Sequence, residues 1–248
     1  MKISELYKVK AADHYLLDVK LDYPETPKSV VIFCQGSGPN TYDNHRKIGD
    51  IEFNYFDLFS DELCKRNIAF CRWNTRGCTL SGNPPDYVYI DPKGYASYYP
   101  DNSIDDILTI KAWIKDLPQF RKSKIILMGI SEGATLVPFA AAKSVDVAGL
   151  LLVGFSYDNM KDTLEWQLTG GSSMVNMCKY FGCADKVYID RADYVRDKYN
   201  VRPYLFENVT FDDLDLDKDG KLTRNDFALQ MAEYRHNTVS YTHLRAHE

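Results

Sequence analysis

The chain has 248 residues, enough for one large α/β domain that buries most of the surface its unfolded form exposes. A composition of 45% hydrophobic and 26% charged residues is that of a globular protein and excludes a fibre or a disordered chain. The formal net charge of -5 gives no electrostatic reason to expect nucleic acid or an anionic membrane as partner.

The opening stretch, MKISELYKVKAADHY, lacks the apolar run of a signal peptide, and no segment approaches the roughly 18 apolar residues of a membrane span. A cytoplasmic location is expected. Tyr15 to Leu21 alternates and reads as a strand, and Ser29 to Cys34 is a short apolar run entering the turn QGSGPN. Phe53 to Cys64 has helical periodicity, Ile68 to Trp73 reads as a buried strand, and a polar, turn-rich segment NTRGCTLSGNPP follows. Ser103 to Leu117 is an expected amphipathic helix, with Ile104, Ile107, Leu108 and Ile114 at helical spacing and Asp101 or Ser103 as its cap. Lys124 to Met128 and Ala148 to Val153 read as strands on either side of a small-residue helix, Ala134 to Lys143. Buried strands separated by amphipathic helices imply a parallel sheet covered on both faces.

From Tyr157 to Arg235 the pattern becomes helical and polar, which reads as a cap or insertion; Lys186 to Asp190 is too short and polar for a core strand. No internal repeat is apparent. Cys34, Cys64, Cys71, Cys78, Cys178 and Cys183 have neither zinc-ligand nor redox-motif spacing and are expected as buried thiols.

Gly129-Ile130-Ser131-Glu132-Gly133 fits G-x-S-x-G between an expected strand and an expected helix. The chemistry needs a sharp turn that lifts the serine hydroxyl clear of the sheet, with glycines where Cβ atoms would collide. The N–H of Glu132 then lies at a helix N-terminus, where positive partial charge favours an oxyanion. The plainer alternative is a serine that caps an ordinary helix. The glycine-rich turn Gln35-Gly36-Ser37-Gly38-Pro39 stands where a second oxyanion donor is expected, at the same end of the sheet.

GSGP after the first core strand, RWNTRG after the next and MGISEGATLVPFAA at the elbow together resemble the α/β-hydrolases, among them esterases, dienelactone-hydrolase-like and serine aminopeptidase-like proteins. The resemblance covers roughly residues 29–154, and Glu132 with Pro138 narrows it to the subgroup with a Ser-Glu-Gly elbow. Gln35 and Ile130 depart from the histidines that many relatives carry there. The resemblance implies an α/β-hydrolase three-layer sandwich with a mostly parallel sheet. It also implies that Ser131 attacks the carbonyl of a small-molecule acyl substrate (an ester, thioester or small amide), with the N–H groups of Glu132 and Ser37 on the oxyanion and no cofactor for catalysis. Arg76 is expected to be structural.

In this fold the triad runs serine, acid, histidine along the chain, so His14 and His45 come too early. Asp158 and Asp190 are weak candidates for the acid, and only His236, His243 and His247 follow the serine. Val239 to Glu248, VSYTHLRAHE, resembles a translated sequencing adapter and is set aside as a non-native tail. The expected organisation is a hydrolase core over 1–154, a helical insertion over 155–237 and the tail over 238–248. It is truncated before the last core strands, with one sheet edge unpaired, and nearly inactive as it stands.

Asp215, Asp217, Asp219, Lys221, Thr223 and Asp226 occupy the six ligand positions of an EF-hand loop, with Gly220 at the turn and Leu222 as the apolar plug. Calcium is the expected ion. Asp226 stands where a longer, bidentate glutamate is usual, which lowers affinity, and a lone loop reads as a structural clip. The competing reading of the whole chain is a non-catalytic calcium-binding or interaction protein on a hydrolase scaffold.

Overall fold

The computed structural model describes residues 2–48, 50–84, 86–206 and 208–237. The adapter-like tail, with His243 and His247, lies outside the described residues. The chain divides into two compact units, Met1–Phe155 and Ser156–Glu248.

The first unit opens on an antiparallel hairpin of β1 (Lys2–Lys10) and β2 (Leu16–Pro24), followed by β3 (Ser29–Cys34). A small hairpin, β4 (His45–Ile48) with β5 (Ile51–Asn54), leads into α1 (Tyr55–Cys64) and β6 (Ile68–Trp73). A second small hairpin, β7 (Cys78–Leu80) with β8 (Val88–Ile90), precedes α2 (Pro92–Tyr95), α3 (Pro100–Asp116), β9 (Lys124–Ile130), α4 (Glu132–Ala142) and β10 (Val147–Val153). The large sheet has the order β1-β2-β6-β3-β9-β10, in which β6, β3, β9 and β10 run parallel and β2 is antiparallel to β6.

Both faces of this sheet are covered, which is why β3 is apolar at nearly every position. Val30, Ile32 and Cys34 join a core with Ile107, Ile110 and Ile114 of α3 and Leu136, Val137 and Ala140 of α4. Val31 and Phe33 face the other way, into a core with Phe56 of α1 and Phe70 of β6. Phe33 sits 4.9 Å from the Phe56 ring and 5.4 Å from that of Phe70, and burying one such side chain is worth about 1.5–3 kcal/mol. The fold is therefore the expected three-layer α/β sandwich with a mostly parallel sheet.

Local differences have local causes. α3 starts at Pro100, ahead of both expected caps, because proline at a first helical position is already set for the helix and forfeits no bonded N–H. β1 reads KISELYKVK, in which Ile3 and Tyr7 are half-buried and Val9 is buried while Leu6 stays exposed, a pattern that its charged residues obscure in the sequence. At the opposite edge of the sheet, β10 exposes Leu150, Leu151, Leu152 and Val153.

One ionic cluster is centred on a buried pair, Arg72 and Asp22. Arg72 Nη1 donates to Asp22 Oδ2 at 2.5 Å, Ser60 Oγ donates to the same oxygen at 2.7 Å, and Arg72 Nη2 reaches Asp57 at 2.8 Å. Burial by itself raises the Asp22 carboxyl, but the Arg72 charge and the hydrogen bonds it accepts hold it below the ordinary carboxylate range.

The second unit carries α5 (Met160–Leu168), α6 (Gly171–Tyr180), β11 (Ile189–Asp190), α7 (Arg191–Arg196), α8 (Arg202–Leu205), α9 (Phe211–Leu214), β12 (Lys221–Leu222) and α10 (Arg224–Asn237). Its core is built by Met174, Met177, Cys178, Phe181, Cys183, Ile189, Tyr194, Phe211 and Leu222. The end of the polar stretch Lys186 to Asp190 does form a strand, outside the large sheet: β11 pairs antiparallel with β12, Ile189 opposite Leu222. All six cysteines are free and buried, and burial pushes the Cys78 and Cys183 thiols up to about 12. Among the described residues, no helix is long and apolar enough to cross a membrane.

Candidate functional site

β9 ends at Ile130 and α4 begins at Glu132, so Ser131 alone makes the turn from strand to helix. It does so at φ 55 and ψ -118, a conformation that costs a non-glycine residue about 1–3 kcal/mol. Its hydroxyl makes no capping hydrogen bond, so a helix-cap role does not account for this serine. The backbone is held by Ser131 N–H donating to Val153 O and Ala134 N–H donating to Ser131 O, each at 2.9 Å.

The flanking glycines are required by close approach. A Cβ at Gly129 would stand 2.2 Å from Gly133 O, and one at Gly133 would stand 2.3 Å from Cys34 O. Those contacts let α4 descend onto the ends of β9 and β3, which leaves the serine exposed above them.

The second loop arrives through the sheet register. Cys34 pairs with Gly129, so the chain leaving β3 emerges beside the elbow. A Cβ at Gly36 would lie 3.3 Å from Ser131 Cβ and 3.9 Å from its Oγ. Asn40 Nδ2 ties this loop down by donating to Gly36 O at 3.0 Å, Gly38 O at 3.2 Å and Ser37 O at 3.3 Å. Gln35 Nε2 donates to Trp73 O at 2.5 Å, which anchors the loop to the end of β6. Glu132 is thus at the N-terminus of α4, next to Ser131 in the chain, and Ser37 follows Gly36 in the adjoining loop.

The Glu132 side chain has its partner in Tyr98, whose hydroxyl donates to the Glu132 carboxylate. Burial and the Glu132 charge push the Tyr98 phenol above its ordinary range. Nothing in the spacing of residues 98 and 132 signals the pair. Arg76 is structural: Nε and Nη2 donate to the two Asp106 oxygens at 2.8 and 2.6 Å, Nη1 reaches Asp13 at 2.5 Å, and the guanidinium lies over the Tyr15 ring.

Among the described residues, no histidine hydrogen-bonds Ser131. His14 is exposed in the turn between β1 and β2, and His45 stacks on Tyr87 at 4.0 Å with Nε2 3.4 Å from Glu52. His236 lies in α10 of the second unit, as do Asp158 and Asp190 in that unit's earlier segments. Asp190 is occupied elsewhere: it caps α7 by accepting from Asp193 N–H at 2.8 Å and accepts from Lys186 Nζ at 2.9 Å.

In the second unit, one carboxylate oxygen each from Asp215, Asp217 and Asp219 lies within 4.8 Å of the others. Asp215 accepts from the N–H groups of Asp219 and Gly220, which folds the loop around its first residue, and Gly220 takes the φ of 82° that the turn demands. Asp226 stands outside this group of three. Its carboxylate accepts from the N–H groups of Leu216 at 2.7 Å and Thr223 at 2.8 Å, and the N–H of Lys221 donates to Asp219 at 2.8 Å.

A strand, a strained serine and a helix N-terminus at the carboxyl end of a parallel sheet, with a glycine-bearing loop alongside, define the α/β-hydrolase class of fold. No family model matches the chain. No curated protein matches it either. Similar solved structures include an esterase from Pyrococcus furiosus, 17% identical with a TM-score of 0.48 over 71% of this chain and 57% of that one. A dienelactone hydrolase from Anabaena variabilis is 14% identical, with a TM-score of 0.43 over 59% of this chain and 62% of that one. An acylaminoacyl peptidase from Pyrococcus horikoshii is 17% identical, with a TM-score of 0.41 over 60% of this chain and 22% of its own. The chain spans 57% and 62% of the lengths of the first two.

Proposed function

We propose that this chain is a serine hydrolase of esters, thioesters or small amides that works through an acyl-enzyme at Ser131. One observation carries the reading: a strained, exposed serine whose hydroxyl serves no cap, held between two glycines that leave no space for a side chain. Strain of this kind persists only where the surroundings over-determine it, and it concentrates at sites of function. In the proposed reaction Ser131 Oγ attacks the substrate carbonyl carbon, and the carbonyl oxygen becomes an oxyanion met by the N–H groups of Glu132 and Ser37. Collapse of that intermediate expels the alcohol, thiol or amine and leaves an ester on Ser131, which water cleaves to the free acid and the restored serine.

Among the described residues no histidine hydrogen-bonds Ser131, and these residues supply the oxyanion donors and substrate binding, which by themselves account for roughly 10³ to 10⁴-fold over water. The test is labelling by a fluorophosphonate together with hydrolysis of p-nitrophenyl butyrate, in the chain and in Ser131→Ala. Signal lost in the variant supports the proposal; equal signal in both refutes it.

We also propose that the loop over 215–226 holds a calcium ion, with Asp215, Asp217 and Asp219 as side-chain ligands. Three carboxylates within 4.8 Å of one another repel, and among the described residues none of them has a salt-bridge partner. Hard oxygen donors suit calcium, whose remaining positions backbone carbonyls and water would fill. This cluster also favours the second reading of the chain, a calcium-binding protein on a hydrolase scaffold, which the labelling experiment separates from the first.

A further inference from the structure

The second unit contains its helix-loop-helix twice. Ile189 lies directly opposite Leu222, which sets an offset of 33 residues between the halves. At that offset the first residues of α7 and α10, Arg191 and Arg224, coincide, and Arg191-Ala192-Asp193-Tyr194 falls on Arg224-Asn225-Asp226-Phe227. Asp193 and Asp226 are both buried, and Cys178, Phe181 and Tyr194 fall on Phe211, Leu214 and Phe227, all within one core. The expectations of a lone loop and of no internal repeat are corrected by this register.

The two loops differ where an ion would sit. Positions one, three and five are Asp215, Asp217 and Asp219 in the second loop but Gly182, Ala184 and Lys186 in the first. The Lys186 ammonium lies 2.6 Å from Asp193 and 2.9 Å from Asp190, the residues at positions twelve and nine of its own loop. The Tyr188 ring lies 5.5 Å away. We propose that Lys186 is a built-in cation that gathers the carboxylates of the first loop as a divalent ion gathers those of the second, so that the unit takes up one ion and not two. The comparison of loops rests on the calcium reading of residues 215–226. In keeping with it, hydrogen bonds to Asp193 and Asp190 hold the Lys186 ammonium above its ordinary range, and Lys186 holds the Asp190 carboxyl below its own.

The test uses the full chain in EDTA and reads amide hydrogen exchange over residues 181–196. Lys186→Met leaves Asp190 without a cation and Asp193 with Arg196 alone, and exchange is expected to quicken about tenfold. Lys186→Arg is expected to keep most of the protection, and Lys179→Gln, exposed on α6, to keep all of it. Equal exchange in Lys186→Met and Lys179→Gln overturns the proposal. Should Lys186→Met fail to fold, titration of the unaltered chain with terbium still decides: one equivalent, abolished by Asp215→Ala with Asp217→Ala, supports it. A second equivalent with Lys186 in place overturns it. No terbium uptake at all refutes the calcium reading, while exchange in EDTA continues to decide the role of Lys186.

Discussion

Gly36 lies against Ser131, so closely that a Cβ at position 36 would stand 3.3 Å from the serine Cβ. The contact joins two segments almost a hundred residues apart and sets the approach of the proposed oxyanion loop. Gly36→Val is therefore expected to slow Ser131-dependent acylation by about 10²-fold, the usual cost of displacing a reacting group by about 1 Å. Fluorophosphonate labelling rates measure it, with the thermal midpoint as a control for folding. An unchanged rate in a folded variant would separate this loop from the chemistry.

Gly133 has a different task. A Cβ there meets Cys34 O at 2.3 Å, so Gly133→Ala must push α4 away from β3. Overpacking of this kind costs about 1–3 kcal/mol, and urea denaturation is expected to show a loss of that size. Gly82, with open space around its missing Cβ, is the control: Gly82→Ala is expected to leave the urea midpoint in place.

The pH dependence of stability follows from Asp22. Its folded-state pKa is depressed, so its contribution is fully present above the unfolded value of about 4 and is lost as pH falls through the lower, folded value. Asp22→Asn is expected to flatten the acid limb of a urea-midpoint curve taken from pH 2 to 7. At neutral pH the variant leaves the buried Arg72 with the half-exposed Asp57 as its nearest carboxylate, so the loss is below the roughly 3–5 kcal/mol of a fully unpaired buried charge. An acid limb identical in both proteins would place the titration elsewhere.

Calcium is expected to raise the thermal midpoint, since an ion bound only to the folded state stabilises by mass action. At a hundredfold excess over Kd the gain is about 2.7 kcal/mol. Asp215→Ala with Asp217→Ala is expected to abolish both the shift and the heat of titration. Heat that persists in the double variant would place the ion outside this loop.

Much of the core is legible in the sequence, because its signals are local. β3 and β6 begin and end where their runs of buried residues do, since a strand buried on both faces reads as a nearly continuous apolar run, interrupted in β6 only by Arg72. Ser131 is equally legible, because the elbow that strains it is built from five adjacent residues. β1 and the two small hairpins are not: β1 is an edge strand, the hairpin strands have only three or four residues each, and many of their positions are exposed, so their periodicity carries little signal.

What the sequence determined by itself was the class of fold, the place of the strained serine and the acidic loop, each fixed by spacing along a few neighbouring residues. The tertiary structure decided everything that joins distant segments. It set Gly36 against Ser131 through the pairing of β3 with β9, and it closed the Tyr98 hydroxyl on Glu132. It buried Arg72 on Asp22, and it laid Ile189 opposite Leu222 so that Lys186 answers to Asp219. Such contacts depend on register and packing between elements, and the cost of closing long loops is met only when the whole core forms.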